Sequence, residues 1–252
     1  MTIEPTWRLA LALALLLTMG VAASLLGRLG QERLMLVASV RAVLQLALVS
    51  LVIVAAITHL AYATVFCLGM FAIGVYTTAK RTGVGRAWPW SAFAMACGVV
   101  PVLAIVFLTG TAPLNGAALV PISGIVIGNM MTVHTLAGRR QFSCLRDNIP
   151  TDEAALSIGL MRSDAIELVT QDTAKEALLP NLDQTRTVGL VTLPGAFIGV
   201  LLGGGSPLQA GAAQILVLVG IMAGQVVVVT VMHRLMMAHR LLPADLLVRL
   251  RP

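Results

Sequence analysis

Charged residues are scarce in this chain: they make up 11% of its 252 residues, whereas 58% are hydrophobic. The mean hydropathy is +0.93, well beyond that of soluble domains, in which about a quarter of the residues are charged. This composition excludes an ordinary soluble domain and indicates an integral membrane protein. The net charge of +6 is interpreted first as membrane topology, because lysine and arginine collect on the cytoplasmic side. Nucleic-acid binding is not expected.

Motifs for catalysis and for energy conversion are also missing. The sequence has no GxxxxGK[ST] phosphate loop, no HExxH zinc motif and no GxSxG nucleophile motif. The apolar runs contain no acidic residue that could relay protons, and the 3 cysteines form no CxxC pair. We therefore predict that the chain is not an enzyme, holds no metal or cofactor, and cannot hydrolyse ATP alone.

The sequence does contain a series of apolar runs long enough to cross a bilayer, whose core of about 30 Å needs roughly 20 residues per helix. We predict an all-α, polytopic membrane helix bundle with seven transmembrane helices, forming a single transmembrane domain over residues 1–252. The predicted spans are about Leu9 to Leu26, Leu34 to Ile57, Leu60 to Ala79, Trp90 to Leu108, Ala118 to Ala137, Val188 to Leu202 and Gly211 to Met232.

The basic residues support this count, because they fall into alternating connections. All but two of the 17 lysines and arginines lie in three of the loops and in the carboxyl-terminal tail; the exceptions are Arg8 and Arg41. The other three loops carry no charge. Because basic loops mark the cytoplasmic side, we predict the amino terminus outside and the carboxyl terminus in the cytoplasm, which requires an odd number of spans.

One long hydrophilic passage, about residues 139–187, separates the fifth and sixth predicted spans and holds eight of the 11 acidic residues. We predict a cytoplasmic helix-turn-helix here, in which Gly159 ends the first helix and Ser163 caps the second, with Asp164 in its first turn. An apolar face is predicted from residues at helical spacing: Ile158, Met161, Ala165 and Leu168. The pair is either a docking element for a partner's groove or a solvated loop packed on its own spans.

A few polar or helix-breaking residues lie inside the predicted spans. Arg41 and Gln45 are four residues apart and share a helix face; a charge at that depth marks a pathway or cavity unless its side chain extends to the headgroups. Asn129 is interpreted as an interhelical hydrogen bonder, with a lining residue as the alternative. Pro194 and Gly195 interrupt the sixth span. These five residues are the candidate pathway residues.

Two glycines in the fifth predicted span stand one helical turn apart, Gly124 and Gly128. This small-xxx-small arrangement lets two helices approach closely. We therefore predict helix packing at these glycines, with an interface between subunits as one form of it.

Residues 153–159, EAALSIG, resemble the cytoplasmic EAA-x3-G signature of ABC-transporter permeases, a helix-turn-helix that inserts into a cleft on the ATP-hydrolysing subunit. The chain as a whole resembles the FetB-type iron-export permease family, which includes plant relatives linked to aluminium tolerance. The similarity covers nearly the whole chain in order. It is carried by RAVLQL at 41–46, PISGIVIGN at 121–129, GLVTLPG at 189–195, LGGGSP at 202–207 and QI at 214–215.

The resemblance implies a permease subunit of an ABC transporter in the cell membrane, an exporter of the iron-export type. It further implies a homodimer of permeases surrounded by membrane lipid, working with separate ATP-binding subunits that hold ATP and magnesium. Coupling to the ATPase is then expected from Glu153, Ala154, Ala155, Gly159, Ser163 and Asp164. The residues alone leave a stand-alone secondary carrier or channel, for a small solute or metal ion, as the alternative.

The sequence departs from this family at candidate substrate positions. The relatives carry methionine at the position of Ile125 and Met-Met-Thr-Gly-Gln after Leu-Pro-Gly, where this chain has Ala196, Phe197, Ile198, Gly199 and Val200. Sulfur and amide donors are thereby replaced by apolar groups, which cannot coordinate a cation. The resemblance therefore implies a permease and leaves its substrate open.

Overall fold

The computed structural model describes residues 6–250, and this part of the chain contains helices and no strand. The predicted all-α class is confirmed. The helices are α1 (Trp7–Leu26), α2 (Glu32–Thr58), α3 (Leu60–Thr82), α4 (Trp88–Leu108), α5 (Gly116–Asp147), α6 (Ile149–Ser157), α7 (Arg162–Glu176), α8 (Leu179–Thr187), α9 (Gly195–Leu202), α10 (Pro207–Met237) and α11 (Ala244–Arg249).

Six of the described helices are long and apolar enough to cross a membrane: α1, α2, α3, α4 with the short 3-10 turn before it, α5 and α10. They correspond to the first five predicted spans and the seventh. Because a helix of roughly 20 apolar residues satisfies its own backbone and matches the bilayer core, hydropathy alone locates such elements.

The predicted sixth span, residues 188–202, is not one continuous helix. The chain turns first: the Gly189 N–H donates to the Thr192 carbonyl at 2.9 Å. Helix begins only in α9, after Pro194, whose ring fixes φ and removes a backbone donor. The eight residues of α9 reach about 12 Å, too short to span a bilayer. The count of seven full-length helices is therefore not confirmed.

The chain divides into two compact units, and the boundary lies between Ala55 and Ala56. In the first unit, Ser24 is the one buried residue among the described residues 6–55. Its hydroxyl donates to the Glu32 carboxylate at 2.7 Å and accepts from the Gln31 N–H at 3.2 Å. These bonds hold the connection between α1 and α2, whose remaining surface is apolar and largely exposed.

The second unit is built around α5 and α10, which run parallel. Near their first turns, Ile122 and Val217 line the same cavity; near their last turns, Gln141 Oε1 lies 2.9 Å from His233 Nδ1. Two parallel helices need a connection that returns along the molecule, and residues 148–206 supply it. The end of the second unit at which α5 and α10 finish is called the charged end. The opposite end, at which both helices begin, is called the cavity end.

Candidate functional site

The helices α6 and α7 meet at a sharp turn. We call residues 148–176, which contain both helices and this turn, the elbow. At this turn Gly159 has a φ of +95°, in the left-handed region that favours glycine. Its N–H donates to the Leu156 carbonyl at 3.0 Å, and the Leu160 N–H donates to the Ala155 carbonyl at 3.1 Å, the pattern that terminates a helix. No described atom lies within 4 Å of a Cβ built on this residue. Glycine is therefore favoured here by the backbone conformation and not by a lack of space for a side chain.

Three large apolar side chains of the elbow are exposed. Ile158, Met161 and Leu168 are 77%, 70% and 61% accessible. The fourth residue of the predicted apolar face, Ala165, is instead fully buried in the core. These three side chains lie outside the helices that are long and apolar enough to span a membrane.

The predicted coupling residues differ in their accessibility. Glu153, Ala154, Gly159 and Asp164 are exposed, Ser163 is half-buried, and Ala155 is buried. The prediction that Ser163 caps the second helix is wrong, because α7 begins at Arg162 and Met161 holds the N-cap position. The Ser163 hydroxyl donates to the Asp164 carboxylate at 3.1 Å.

A partly buried ion pair joins the two arms of the elbow. Asp152 on α6 is 1% exposed, and its Oδ2 accepts from Nη1 of Arg162 on α7 at 3.2 Å. Burial raises the pKa of Asp152, whereas the nearby Arg162 guanidinium lowers it. The sequence analysis missed this pair, because the two residues lie on different helices and no helical spacing connects them.

The elbow is attached to the charged end through α7. The Cys144 thiol of α5 donates to the Val169 carbonyl at 3.2 Å, and Arg140 lies 3.1 Å from the Glu176 carboxylate. Ile166 adds a fully buried side chain to the core. These contacts place α7 antiparallel to the last turns of α5.

A cavity of about 890 Å³ lies at the cavity end, between the first turns of α5, the first turns of α10, and α9. Its lining is mostly small and apolar, with Thr111 and Gln209 as the polar side chains. Three positions that depart from the FetB-type pattern line it: Ile125, Ala196 and Val200. Within the described part of the chain, no three histidine, cysteine or acidic residues are grouped so that they could hold a metal ion.

The structure does not bring the predicted pathway residues together. Gly195 lines the cavity, and Pro194 precedes it at the start of α9. The Asn129 amide donates to the Ile125 carbonyl of its own helix at 2.9 Å, rather than to a neighbouring helix as predicted. The two remaining residues lie on an exposed stretch of α2 in the first unit: Arg41 and Gln45.

The two glycines predicted to allow close packing differ from each other. A Cβ on Gly124 would stand 3.7 Å from the Met70 sulfur on α3, an ordinary van der Waals contact. A Cβ on Gly128 would have no described atom within 4 Å. A much closer approach joins α4 and α10, where a Cβ on Gly98 would stand 2.7 Å from the Gly224 carbonyl oxygen. Gly98 and Gly224 are visible in the sequence, but no sequence pattern indicates that they face each other. The predicted interface between subunits stays a prediction.

Comparison with known proteins gives several relatives. STAR2, a UPF0014 membrane protein of Oryza sativa subsp. japonica, is 32% identical over 207 residues, covering 79% of this chain and 71% of the relative. YjkA, a UPF0014 membrane protein of Bacillus subtilis (strain 168), is 30% identical over 198 residues, covering 77% and 79%. The probable iron export permease protein FetB of Escherichia coli (strain K12) is 29% identical over 134 residues, covering 53% and 52%. No solved structure matches the chain.

The relatives confirm the resemblance found in the sequence, since they include a FetB protein. With its six apolar helices of membrane-spanning length and its membrane-protein relatives, the chain is a multi-pass membrane protein. The family model matches residues 6–241, nearly the whole sequence, and the chain therefore belongs to the uncharacterised protein family UPF0014.

Proposed function

We propose that this chain is the permease subunit of an ABC transporter, an exporter of the iron-export type that is powered by a separate ATP-binding subunit. The relative named as a probable iron export permease supports the transport role. The observation that carries the proposal is the elbow, because it presents exposed apolar side chains about a left-handed glycine, outside the candidate spans.

Docking of the elbow would place its apolar face in a groove of the ATP-binding subunit. In the proposed complex, Ile158, Met161 and Leu168 fill the groove, while the exposed Glu153 and Asp164 supply polar contacts at its rim. The Asp152 and Arg162 pair keeps the two arms at a fixed angle, so that the elbow moves as one body. ATP and magnesium would be held by the partner, and hydrolysis would take place there.

The proposed orientation places the charged end in the cytoplasm and the amino terminus outside. Basic residues collect at this end of the second unit, as the distribution of lysine and arginine across membranes requires. The chain must then return to the outside between α8 and α10. This return consists of the turn at residues 188–192 and the roughly 12 Å of α9, so it is not one continuous helix. Seven crossings follow, one of them broken.

We propose that a second copy of the chain packs against this broken crossing and buries it. Backbone that is not helical is tolerated at membrane depth only where protein or water surrounds it. Leu190 and Val191, in the non-helical part, are 88% and 78% exposed in the single chain. A homodimer of permeases would bury them and would let two cavities act together.

The cavity is the proposed part of the transport pathway. It lies at the end opposite the elbow, so that ATP binding at one end could open or close it at the other. Its lining of small residues leaves room for helices to shift without collision. Gly195 borders it directly, Pro194 precedes Gly195, and the Asn129 amide donates to the carbonyl of the lining residue Ile125, whereas Arg41 and Gln45 stay proposals from the sequence.

Replacing Gly159 with leucine tests the proposal. The substitution puts a Cβ on a left-handed residue, at a cost of about 1–2 kcal/mol, and alters the turn that presents the apolar face. We expect normal insertion into the membrane, but loss of copurification with the ATP-binding subunit and loss of permease-dependent ATPase activity in nanodiscs.

The matched control is Gly110→Leu. Gly110 also has a positive φ, +70°, and no described atom within 4 Å of its Cβ position, but it follows α4 at the opposite end from the elbow. This control should keep both partner binding and ATPase activity. Full activity of Gly159→Leu contradicts docking through the elbow, and an unaltered permease that never copurifies with an ATPase favours the stand-alone carrier or channel.

A further inference from the structure

A surface groove of about 720 Å³ lies between the last turns of α3 and the first turns of α4. Small residues leave it open: Ala72, Ala79, Gly85 and Ala92. Phe71, Tyr76 and Trp88 contribute the larger side chains of its walls. The groove shares no lining residue with the cavity of about 890 Å³ between α5, α9 and α10, so the two are separate sites.

Contacts with α5 place the mouth of the groove at the charged end. The Cys67 thiol donates to the Leu119 carbonyl at 3.9 Å near the start of both helices. Near the end of α3, the Arg139 Nε donates to the Arg81 carbonyl at 3.3 Å. The two helices are therefore parallel, and α3 finishes where α5 finishes. Only residues 83–87 connect α3 to α4, so α4 begins at the same end.

This short connection holds the two sides of the groove in place. Gly83 has a φ of +73°, and its N–H donates to the Ala79 carbonyl at 3.0 Å, which ends α3. Val84 is buried in the core of the second unit, and its carbonyl accepts from the Ala87 N–H at 3.0 Å. The groove is thus preformed, as sites for small molecules usually are.

The polar side chains of the groove have no partner within residues 6–250. The Lys80 ammonium, the Tyr76 hydroxyl and the Trp88 indole make no hydrogen bond or ion pair with this part of the chain. Lys80 is the charged member of the described lining residues. Its neighbours Arg81 and Arg86 form no ion pair among the described residues either. The groove therefore presents positive charge that awaits an anion from another molecule.

The polarity of the groove matches that of a phospholipid in one leaflet. From Lys80 at the mouth to Phe71 at the far end is about 13.5 Å along α3, and one leaflet of the bilayer core is about 15 Å deep. Trp88 is exposed at the mouth, and tryptophan is enriched at the level of the headgroups. Below the mouth the lining is apolar, which suits an acyl chain.

We propose that this groove binds one anionic phospholipid, whose phosphate contacts Lys80 and whose acyl chain lies along α3 against Ala72. A lysine can reach the headgroups while its methylene groups remain in apolar surroundings, and basic pockets between membrane helices suit anionic headgroups. With the charged end in the cytoplasm, as proposed, the lipid comes from the cytoplasmic leaflet. The inference goes beyond the proposed permease function, and its test needs no ATP-binding subunit, so that either can fail alone.

Native mass spectrometry of the full chain in detergent tests the charge. Phosphatidylglycerol is compared with phosphatidylcholine of the same acyl chains, and we expect one molecule of phosphatidylglycerol to bind more tightly. Lys80→Gln should weaken phosphatidylglycerol binding about fivefold, the factor for one basic residue at an anionic surface, and should leave phosphatidylcholine binding unchanged. The matched control is Arg33→Gln on α2, which removes the charge of an exposed residue without an ion pair among the described residues and should bind as the wild type does.

A second pair of variants tests the groove itself. Ala72→Phe fills the groove from an exposed position on α3 and should weaken the binding of both lipids. Ala61→Phe, also exposed on α3 but outside the groove, should bind both lipids as the wild type does. Glycerophosphoglycerol, the headgroup without acyl chains, should displace no lipid even in large excess.

The fluorescence of Trp88 locates the bound lipid. Trp7→Phe with Trp90→Phe leaves Trp88 as the single tryptophan. Phosphatidylglycerol with brominated acyl chains should quench Trp88 at lower concentrations than brominated phosphatidylcholine, and Lys80→Gln should reduce this difference.

Four results would overturn the inference. Equal affinity for the two lipids, or equal losses in Lys80→Gln and Arg33→Gln, shows attraction by overall charge without a specific site. Unchanged lipid binding in Ala72→Phe shows that the groove holds no acyl chain. Displacement by glycerophosphoglycerol shows a site for a soluble anion. A lower dimer fraction of Ala72→Phe in the same spectra shows that the groove is covered by a second copy of the chain.

Discussion

At the charged end of the second unit, neighbouring elements are joined by paired side chains, whereas at the cavity end they are separated by space. At the charged end, one ion pair between Asp152 and Arg162 joins the two arms of the elbow. A second ion pair, between Arg146 and Asp245, joins α5 to α11. The cavity end has about 890 Å³ of cavity with a small, apolar lining. Paired and buried groups hold one geometry, while small residues around a cavity allow several. Under the proposed permease function, the charged end receives a movement and the cavity end changes access.

The crossing of α4 and α10 links these two ends, and breaking it should have the largest effect. In Gly98→Val the new Cβ would stand 2.7 Å from the Gly224 carbonyl oxygen, a backbone atom that moves only if the helices separate. We expect a loss of about 3 kcal/mol of folding free energy, at the upper end of overpacking, seen as loss of monodisperse protein on size exclusion in detergent. Gly69→Val, which meets no described atom within 4 Å, should behave as the wild type; equal stability of the two variants would contradict the close crossing.

The charged end is tested next by removing one member of the partly buried Asp152 and Arg162 pair. Arg162→Met leaves the Asp152 carboxylate buried without its guanidinium partner, and we expect the free energy of unfolding to fall by about 2–3 kcal/mol, below the full cost for a completely buried pair. Adding Asp152→Asn should recover much of this loss, because the buried charge is then gone. Arg186→Met, in an exposed pair with Asp183, should change stability by less than about 0.5 kcal/mol. A double variant no better than Arg162→Met would show that the pair is not coupled.

A smaller effect is expected from pH. The folded-state pKa of His239 is lowered by burial and by Arg162, so its contribution to stability is fully present above the unfolded value of about 6.5 and is lost as the pH falls through it, since the unfolded chain binds the proton more readily. Thermal stability in detergent should therefore fall more between about pH 7.5 and 5.5 in the wild type than in His239→Asn, which retains a residue suited to the left-handed φ of +56° at this position. Identical pH profiles would contradict the partly buried position of the imidazole.

The smallest effect should come from filling space at the cavity end. Ala213→Leu extends into the cavity and should leave the melting temperature within about a degree of the wild type, because ordinary surface changes stay within about 0.5 kcal/mol. Ala137→Leu, at a fully buried position toward the charged end of α5, should lose about 1–3 kcal/mol by overpacking. Equal losses in the two variants would remove the contrast between the ends.

Much of this protein could be read from local patterns. Hydropathy located six apolar helices, because a membrane helix satisfies its own backbone and needs only length and composition. Gly159 was correctly placed at a turn, since helix ends favour glycine in the left-handed region. The sixth span was predicted with an interruption at Pro194 and Gly195, and the structure has a turn before Pro194 and helix only from Gly195 onward. Apolar composition alone did not distinguish that turn from helix. The coupling and pathway roles of the predicted site residues stay predictions.

The sequence by itself determined the membrane class, the approximate positions of six long helices and the turn at Gly159, because each depends on residues close together in the chain. Only the tertiary structure decided which groups meet. Arg146 and Asp245 are 99 residues apart, and Gly98 on α4 faces Gly224 on α10. Such pairs depend on how helices of similar composition pack against one another, and side-chain packing, unlike hydropathy, is not encoded in any short stretch of sequence.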